Sequence, residues 1–335
     1  MIQIGLIGYG YWGPNLARNF ESNPDFNLKY ISDFSDDRLA AAGKLHRYAT
    51  LTKQANDLFE DASLDAIAIA TPVSTHFELA HRALSEDKHV WLEKPMTEKV
   101  AQAETLIELA EQKKKKLIMD HTFIYTGAVR KMKQVVSDGE VGDVVYYDSI
   151  RVNLGLFQQD VDVIWDLAAH DLSILDHLIS ARKLAVSATG SQFYGEDIVA
   201  KSLLTIYMEN NVIGHINVSW VSPVKIRQTL VGGTAKMLLW DDNNPSEKIK
   251  IYDKGVELFD SKEDLYHLKV QYRVGDMYAP KIKETEALSL ETEHFADCIL
   301  NDKTPVTDGI SGLEVVKVLV ASKESLKQRG APVEL

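Results

Sequence analysis

The first 120 residues alternate short apolar, β-rich runs with segments of helical pattern. The predicted strands are Gln3–Ile7, Leu28–Ser32, Ala66–Ala70, His89–Leu92 and Leu117–Met119, and the predicted helices begin near Pro14, Asp36, Ser74 and Thr97. An alternation of this kind favours a parallel sheet covered by helices on both faces. We therefore predict an α/β domain with a doubly wound parallel sheet over residues 1–120.

After about residue 120 the chain becomes rich in strands that are separated by turn signals. The predicted strands are Val144–Val152, Ala185–Gly190, Ala200–Met208, Val212–Ser219, Lys225–Val231, Lys236–Trp240 and Lys248–Tyr252, and the predicted helices are Gly127–Ser137, Val163–Ile179, Leu288–Leu300 and Gly312–Arg329. We predict that residues 121–335 form an α+β domain with a large, mostly antiparallel open sheet. This division allows the C-terminal helices to pack back on the first domain.

Composition and charge narrow the class of protein. The 335 residues are 45% hydrophobic and 26% charged, which suits two globular domains of roughly 150 residues each. The formal net charge of −12 argues against general affinity for nucleic acid. The single cysteine, Cys298, excludes a disulfide framework and a cysteine-rich metal site. Since no apolar run approaches the ~20 residues of a membrane helix and no signal-peptide pattern opens the chain, we expect a cytoplasmic protein without membrane contacts.

A glycine motif follows the first predicted strand and opens the first predicted helix. Residues 8–13 read Gly-Tyr-Gly-Tyr-Trp-Gly, in which Gly8 would make the tight turn, Gly10 would let the backbone approach a pyrophosphate, and Gly13 would allow close helix packing. Asp33 ends the second predicted strand, where a carboxylate binds the ribose hydroxyls and repels a 2′-phosphate. The pattern predicts an NAD site, with NADP disfavoured. The alternative is a tight turn without a ligand, with Asp33 as a solvated strand end.

The segment Glu93-Lys94-Pro95 follows the predicted strand His89–Leu92, at the carboxyl edge where doubly wound sheets bind ligands. Pro95 biases Lys94 towards an extended conformation, which would aim its ammonium into the crevice. There the ammonium could stabilise developing charge on a reacting oxygen. A surface lysine before a helix-starting proline would give the same pattern.

A second polar group lies in the predicted apolar helix Val163–Ile179. Asp166 and His170 are four residues apart and would share one face of an α-helix. His170 titrates near neutrality and could accept a hydroxyl proton, while Asp166 could orient a sugar hydroxyl or hold the histidine. The alternatives are an exposed polar stripe or a His–Asp pair satisfied in the core. A metal site is a weaker option, because no third ligand stands at a diagnostic spacing, and we predict none.

These motifs together resemble the glucose–fructose oxidoreductase / inositol dehydrogenase / rhizopine catabolism (Gfo/Idh/MocA) family over the length of the chain. The residues that carry the resemblance are Gly8–Gly13, Asp33, Ala70-Thr71-Pro72 with His76, Glu93-Lys94-Pro95, and Asp166 with His170. The resemblance implies an N-terminal Rossmann domain and a C-terminal domain that binds substrate and whose open sheet commonly forms the oligomer interface. It also implies an NAD(P)-dependent oxidoreductase that acts on a hydroxyl of a sugar, cyclitol or sugar nucleotide.

The resemblance also implies roles for single residues. Lys94 would contact the reacting hydroxyl and the nicotinamide, His170 would be the acid/base, and Asp166 a substrate-binding carboxylate, although family members differ in whether the lysine or the histidine takes the proton. Arg151 and Asn153 resemble polar substrate contacts. The expected cofactor-binding residues are Gly8, Gly10, Tyr11, Trp12, Gly13, Asp33, Thr71, Pro72, His76, Glu93 and Lys94.

The sequence indicates the substrate less clearly than it indicates the family and the cofactor. The chain departs from inositol dehydrogenases after the predicted strand Leu117–Met119, where it reads His121-Thr122-Phe123-Ile124-Tyr125 instead of an arginine motif. The segment Asn153–His170 resembles family members from sugar-nucleotide biosynthesis. Our first expectation is oxidation of the 3-hydroxyl of a UDP-N-acetylhexosamine or its uronic acid. The alternatives are a free sugar, inositol or dihydrodiol dehydrogenase, and a non-catalytic NAD-sensing regulatory protein. The exposed face of an antiparallel sheet is a reason to expect a homodimer or homotetramer.

Overall fold

The computed structural model describes residues 1–155, 161–193, 198–257 and 271–335, and these form two compact units. The first unit comprises Met1–Thr126 and Thr285–Val320, and the second comprises Gly127–Glu284 and Ala321–Leu335. The division differs from a single cut after residue 120. Helices near the C-terminus join the first unit because Phe295 and Val316 lie in its core.

Six strands of the first unit form one parallel sheet. They are β1 Ile2–Ile7, β2 Phe26–Ser32, β3 Thr50–Thr52, β4 Ala66–Ile69, β5 His89–Glu93 and β6 Leu117–Asp120. Their order in the sheet is β3-β2-β1-β4-β5-β6. The order reverses between β1 and β4, and ligands of doubly wound sheets bind at the carboxyl ends of the strands beside such a reversal. The doubly wound prediction is confirmed.

Helices cover both faces of this sheet because successive strand residues are apolar on both sides. The helices are α1 Gly13–Ser22, α2 Asp36–Leu45, α3 Asn56–Glu60, α4 Val73–Ser85, α5 Val100–Lys113, α8 Ala287–Leu300 and α9 Gly309–Lys327, with a 3₁₀ turn at Thr122–Tyr125. The residues of α9 from Ala321 onward belong to the second unit. Ile67 and Leu92 belong to the core on one face, whereas Ala68 and Trp91 belong to the core on the other. On the second face the ring of Trp91 lies 5.7 Å from that of Phe295 in α8.

The second unit is built on a nine-stranded sheet. Its order is β16-β13-β12-β11-β7-β10-β9-β8-β17, and within it only β7 and β10 pair in parallel among the described strands. The strands are β7 Val144–Leu154, β8 Lys183–Gln192, β9 Val199–Met208, β10 Ile213–Ser219, β11 Val221–Gly233, β12 Met237–Asp241, β13 Ile249–Tyr252, β16 Met277–Tyr278 and β17 Val333–Glu334. The strands β14 Gly255–Glu257 and β15 Gln271–Arg273 pair antiparallel in a separate two-stranded sheet. The mostly antiparallel sheet is therefore confirmed.

One face of this sheet is buried and the other is open. On β9, Leu204 and Ile206 are fully buried, whereas Leu203 and Tyr207 are 45% and 39% exposed. This alternation is what a strand with one covered face requires. The α-helices that lie wholly within the described part of this unit are α6 Gly127–Ser137 and α7 Ala169–Leu178.

The predicted helix Val163–Ile179 is not uniform. Ile164–Ala168 forms a π-helical turn that leads into α7. The Asp162 carboxylate accepts hydrogen bonds from the backbone N–H groups of Ile164 and Trp165 at 2.9 and 3.1 Å and so caps the start of this turn. The face argument for Asp166 and His170 assumed α-helical spacing, and the wider π turn changes that spacing.

No helix in the described ranges is both long and apolar enough to cross a membrane.

Candidate functional site

The glycine loop joins β1 to α1 at the point where the sheet order reverses. Gly8 has φ +97°, and a Cβ there would lie 2.4 Å from the carbonyl oxygen of Ala70, at the end of β4. A Cβ on Gly13 would lie 2.4 Å from the carbonyl oxygen of Gly8. A Cβ on Gly10 would meet nothing closer than the Arg38 guanidinium at 3.7 Å. The protein itself thus requires glycine at positions 8 and 13, while the open space at Gly10 suits the close approach of a diphosphate.

Asp33 follows β2 and is held by the loops around it. One carboxylate oxygen accepts the Tyr9 N–H at 2.7 Å, and the other accepts the Ser35 N–H at 2.9 Å. Arg38 Nη1 lies 3.4 Å from the first of these oxygens. A carboxylate offers about four acceptor positions, so capacity remains for ribose hydroxyls. The sequence analysis missed Arg38, although a basic residue shortly after the ribose-binding acid was a usable signal.

The remaining expected cofactor residues lie at the carboxyl ends of β1, β4 and β5. Thr71 is half-buried, Pro72 and Tyr11 are exposed, and Glu93 and Lys94 are half-buried. The residues expected to bind the cofactor are therefore gathered at one edge of the first unit's sheet.

His76 is buried, unlike these residues. It lies in α4, with Nδ1 2.9 Å from the Pro95 carbonyl oxygen and Nε2 2.8 Å from the Thr71 carbonyl oxygen. Burial lowers the pKa of its imidazole. Because its ring nitrogens lie beside the Pro95 and Thr71 carbonyl oxygens, His76 links the β4 and β5 loops, and its place beside the cofactor stays a prediction. The peptide bond before Pro95 is cis.

Two buried acids that the sequence analysis missed lie next to this edge. Asp120, at the end of β6, accepts a hydrogen bond from Trp12 Nε1 at 2.7 Å, and the buried Glu291 carboxyl of α8 interacts with the Asp120 carboxyl. An acid directly after the apolar run of β6 is a usable signal for Asp120. Nothing local marks Glu291, since Glu293 on the same helix is exposed.

In the second unit, Asp166 lies in the π-helical turn and His170 in the first turn of α7, both half-buried. The Asp166 carboxylate accepts a hydrogen bond from Trp220 Nε1 at 3.0 Å. The backbone carbonyl of His170 accepts one from Ser173 Oγ at 2.8 Å. Trp220 was missed by the sequence analysis, because the chain distance between it and Asp166 leaves no local signal.

Arg151, which the sequence analysis expects to contact the substrate, forms an ion pair inside the second unit, and its contact with substrate stays a prediction. Its Nε and one Nη atom lie 2.6 and 3.1 Å from the two carboxylate oxygens of Asp171, and both side chains are almost fully buried. The guanidinium thus serves a two-point ion pair between β7 and α7. Asn153, two residues on, is half-buried, and its amide donates to the Leu154 carbonyl at 3.2 Å.

Comparison with known proteins agrees with this architecture. Residues 2–121 match the model described as the oxidoreductase family with an NAD-binding Rossmann fold, and residues 129–238 match the model of the GFO/IDH/MocA C-terminal domain. The chain belongs to the Gfo/Idh/MocA oxidoreductase family. It is accordingly an NAD-binding dehydrogenase of that family, with the cofactor site in the first unit.

Among similar proteins, scyllo-inositol 2-dehydrogenase (NAD(+)) of Bacillus subtilis is 23% identical, covering 100% of this chain and 96% of its own. UDP-N-acetylglucosamine 3-dehydrogenase of Acidithiobacillus ferrooxidans is 26% identical, covering 94% of each. Its solved structure matches with a TM-score of 0.82 at 23% identity over 98% of each chain. The structure of GenD2 from gentamicin A biosynthesis, in complex with NAD, matches with a TM-score of 0.83 at 19% identity over 100% of this chain and 96% of that one.

Proposed function

We propose that the protein oxidises a secondary hydroxyl of a sugar nucleotide, with the 3-hydroxyl of a UDP-N-acetylhexosamine or its uronic acid as the favoured position. The observation that carries the choice is the similarity to UDP-N-acetylglucosamine 3-dehydrogenase along 94% of both chains. The segment after β6 supports it, because it reads His121-Thr122-Phe123-Ile124-Tyr125 and lacks the arginine expected from the resemblance to inositol dehydrogenases.

The cofactor end of the reaction depends on the first unit. Bound NAD supplies the hydride acceptor. Gly10 and the positive N-terminal end of α1 would hold its diphosphate, and Asp33 would accept hydrogen bonds from its ribose hydroxyls. The acceptor positions left on the Asp33 carboxylate fit this task.

The alcohol loses a hydride from carbon and a proton from oxygen, so the protein must supply a proton acceptor and stabilise the oxygen. We assign the proton to the His170 imidazole and the stabilising charge to the Lys94 ammonium. Asp166, which is fixed by Trp220, would accept a hydrogen bond from a second hydroxyl of the sugar. This second contact would orient the ring and select the hydroxyl that reacts.

The substrate class is tested by thermal shift with NAD and a panel of UDP-sugars, free sugars and inositols, followed by measurement of NADH formation. We expect UDP-N-acetylhexosamines to give the largest shift and turnover. Inositol dehydrogenase is the second candidate, since the Bacillus relative is similar along the whole chain. A large shift and turnover with inositol or a free sugar, and none with UDP-hexosamines, would refute the preferred substrate.

The assigned groups are tested by Lys94→Ala and His170→Ala. Loss of general acid–base or electrostatic assistance lowers kcat by about 10²- to 10⁴-fold. NAD binding, measured by calorimetry, should persist in both variants. The exposed Lys99 and His81 provide matched controls, and Lys99→Ala and His81→Ala should keep full activity. Undiminished turnover in either test variant rules out the role assigned to that residue.

A further inference from the structure

Asp120 and Glu291 form a pair of acids inside the first unit. Asp120 is 1% exposed and Glu291 is fully buried. Among the described residues, no N–H or O–H group donates to either Glu291 oxygen in good geometry. The acidic side chain that interacts with the Glu291 carboxyl is Asp120. Two carboxyl groups can share a hydrogen bond only if one of them carries a proton.

The surroundings of each acid decide which one carries it. Asp120 accepts hydrogen bonds from Trp12 Nε1 and from Thr122 Oγ1, at 2.7 and 2.5 Å, and faces the Lys94 ammonium. Burial raises the pKa of Asp120, but all three contacts favour its ionised form. Of the contacts that act on Glu291, the one that favours its ionised form is with the His121 backbone, and it is outweighed by burial.

The charged and titratable groups around Glu291 act in the same direction. Burial raises the pKa of Glu291 well above its ordinary value, and the carboxylates of Asp120 and Glu93 raise it further. The Tyr125 phenol also faces Glu291 and has a raised pKa, so it stays neutral. His121 is neutral as well, because burial and the Lys94 charge lower its pKa to about 4. No cation therefore compensates a charge on Glu291 among these neighbours.

We propose that Glu291 is a protonated acid in the native protein at neutral pH and a positioning residue for the reaction. It donates its proton to Asp120, so the pair holds a single negative charge. That charge resides on Asp120, which fixes the Trp12 indole of the glycine loop and faces Lys94. The inference rests on the proposed function only in the part that gives Lys94 a role in turnover.

The protonation state is tested on the wild-type protein by infrared spectroscopy. A protonated carboxyl band should be present in the wild-type spectrum at pH 7 and absent from the spectrum of Glu291→Gln. It should therefore appear in the wild-type-minus-variant difference spectrum. The matched control is Glu293→Gln, on the same helix but exposed, which should leave this band unchanged. A wild-type spectrum without a band that depends on Glu291 overturns the proposal.

The pH dependence of folding stability is an independent test of the protonation state of Glu291. A proton held with raised affinity in the native state stabilises it fully below the unfolded pKa, 4.5, and this stabilisation is lost as pH rises towards the folded pKa. Above about pH 5, the unfolding constant of the wild type should therefore rise about tenfold per pH unit relative to that of Glu291→Gln. Glu293→Gln should follow the wild type in parallel. A constant ratio for Glu291→Gln would mean that Glu291 is ionised in the native protein.

Turnover tests the positioning role. Glutamine can donate an N–H to Asp120 as the protonated acid does, so Glu291→Gln should retain kcat. Glu291→Leu removes the donor, and Asp120→Asn removes the charge, and displacement of the reacting groups should then lower kcat by up to about 100-fold. Retained kcat in both Glu291→Leu and Asp120→Asn refutes the role in turnover. If the wild type oxidises no member of the substrate panel, the proposed function fails, whereas the infrared and pH measurements still decide the protonation of Glu291.

Discussion

The buried Arg151–Asp171 pair is the feature whose removal should cost the second unit the most stability. The side chains are 3% and 2% exposed, and two N–O distances of 2.6 and 3.1 Å make the pair bidentate. Removing one partner of such a pair leaves an uncompensated buried charge, at a cost of about 3–5 kcal/mol. Arg151→Met should lower the free energy of unfolding by this amount, a large part of the roughly 5–15 kcal/mol typical of a domain.

Asp171→Asn should be at least as harmful as Arg151→Met. Arg227 lies near the pair, where burial and the charge of Arg151 lower the pKa of its guanidinium and Asp242 opposes this. Loss of the Asp171 carboxylate would leave Arg151 and Arg227 facing each other without that anion. Loss of Arg151 instead leaves Arg227 as a second cation near Asp171. The double variant Arg151→Met/Asp171→Leu removes both charges and should recover most of the loss.

Urea unfolding followed by circular dichroism measures these differences. The control is Arg182→Met, which breaks a surface pair with Glu209 whose side chains are 68% and 44% exposed, and which should cost about 1 kcal/mol or less. The reasoning is refuted if Arg151→Met changes stability no more than Arg182→Met. A raised KM with unchanged stability would support the substrate-contact role of Arg151 expected from the sequence.

Three further outcomes are expected. Asp33→Asn should weaken NAD binding about 10- to 100-fold, since hydrogen bonds to a charged acceptor are worth about 1.5–3 kcal/mol. The same variant should use NADP better because Arg38 remains. An unchanged NAD/NADP preference in steady-state kinetics would contradict this. We also propose that the open face of the nine-stranded sheet joins copies of the chain, so Leu203→Glu should reduce the particle mass in light scattering, and an unchanged mass would exclude that face. Burial raises the pKa of the Cys298 thiol from 9.0 to about 11. Its alkylation at pH 8 should therefore be about 100-fold slower than that of a thiol with the ordinary pKa. Equal alkylation rates in native and urea-unfolded protein would contradict this.

The sequence was a good guide wherever the signal is local. The apolar runs of β1, β4 and β5 predict a sheet buried on both faces, and the glycine spacing predicts the turn into α1. The strand β3 was missed because Thr50–Thr52 is short and polar and has no apolar pattern of its own. In the second unit the turn signals predicted β7 to β13, with β9 found at Val199–Met208, whereas the short strands β14 to β17 were missed.

The rest depends on contacts between distant parts of the chain. The alternation along β7 places Arg151 and Asn153 on one side of the strand, but it does not say that α7 covers that side with Asp171. The same limit applies to Asp120 and Glu291, which meet only because α8 returns to the first sheet. The π-helical turn at Ile164–Ala168 has no counterpart in residue spacing, so a pattern based on α-helical periodicity could not predict it.

The return of α8 and α9 to the first unit has a consequence for biosynthesis. The ribosome releases the six strands of the parallel sheet early, whereas Phe295, which packs against Trp91 on one face of that sheet, emerges only after the second unit has been translated. Until then the nascent sheet has an uncovered apolar surface. A truncated gene ending near residue 126 would encode this exposed surface permanently, and its product should depend on chaperones or aggregate.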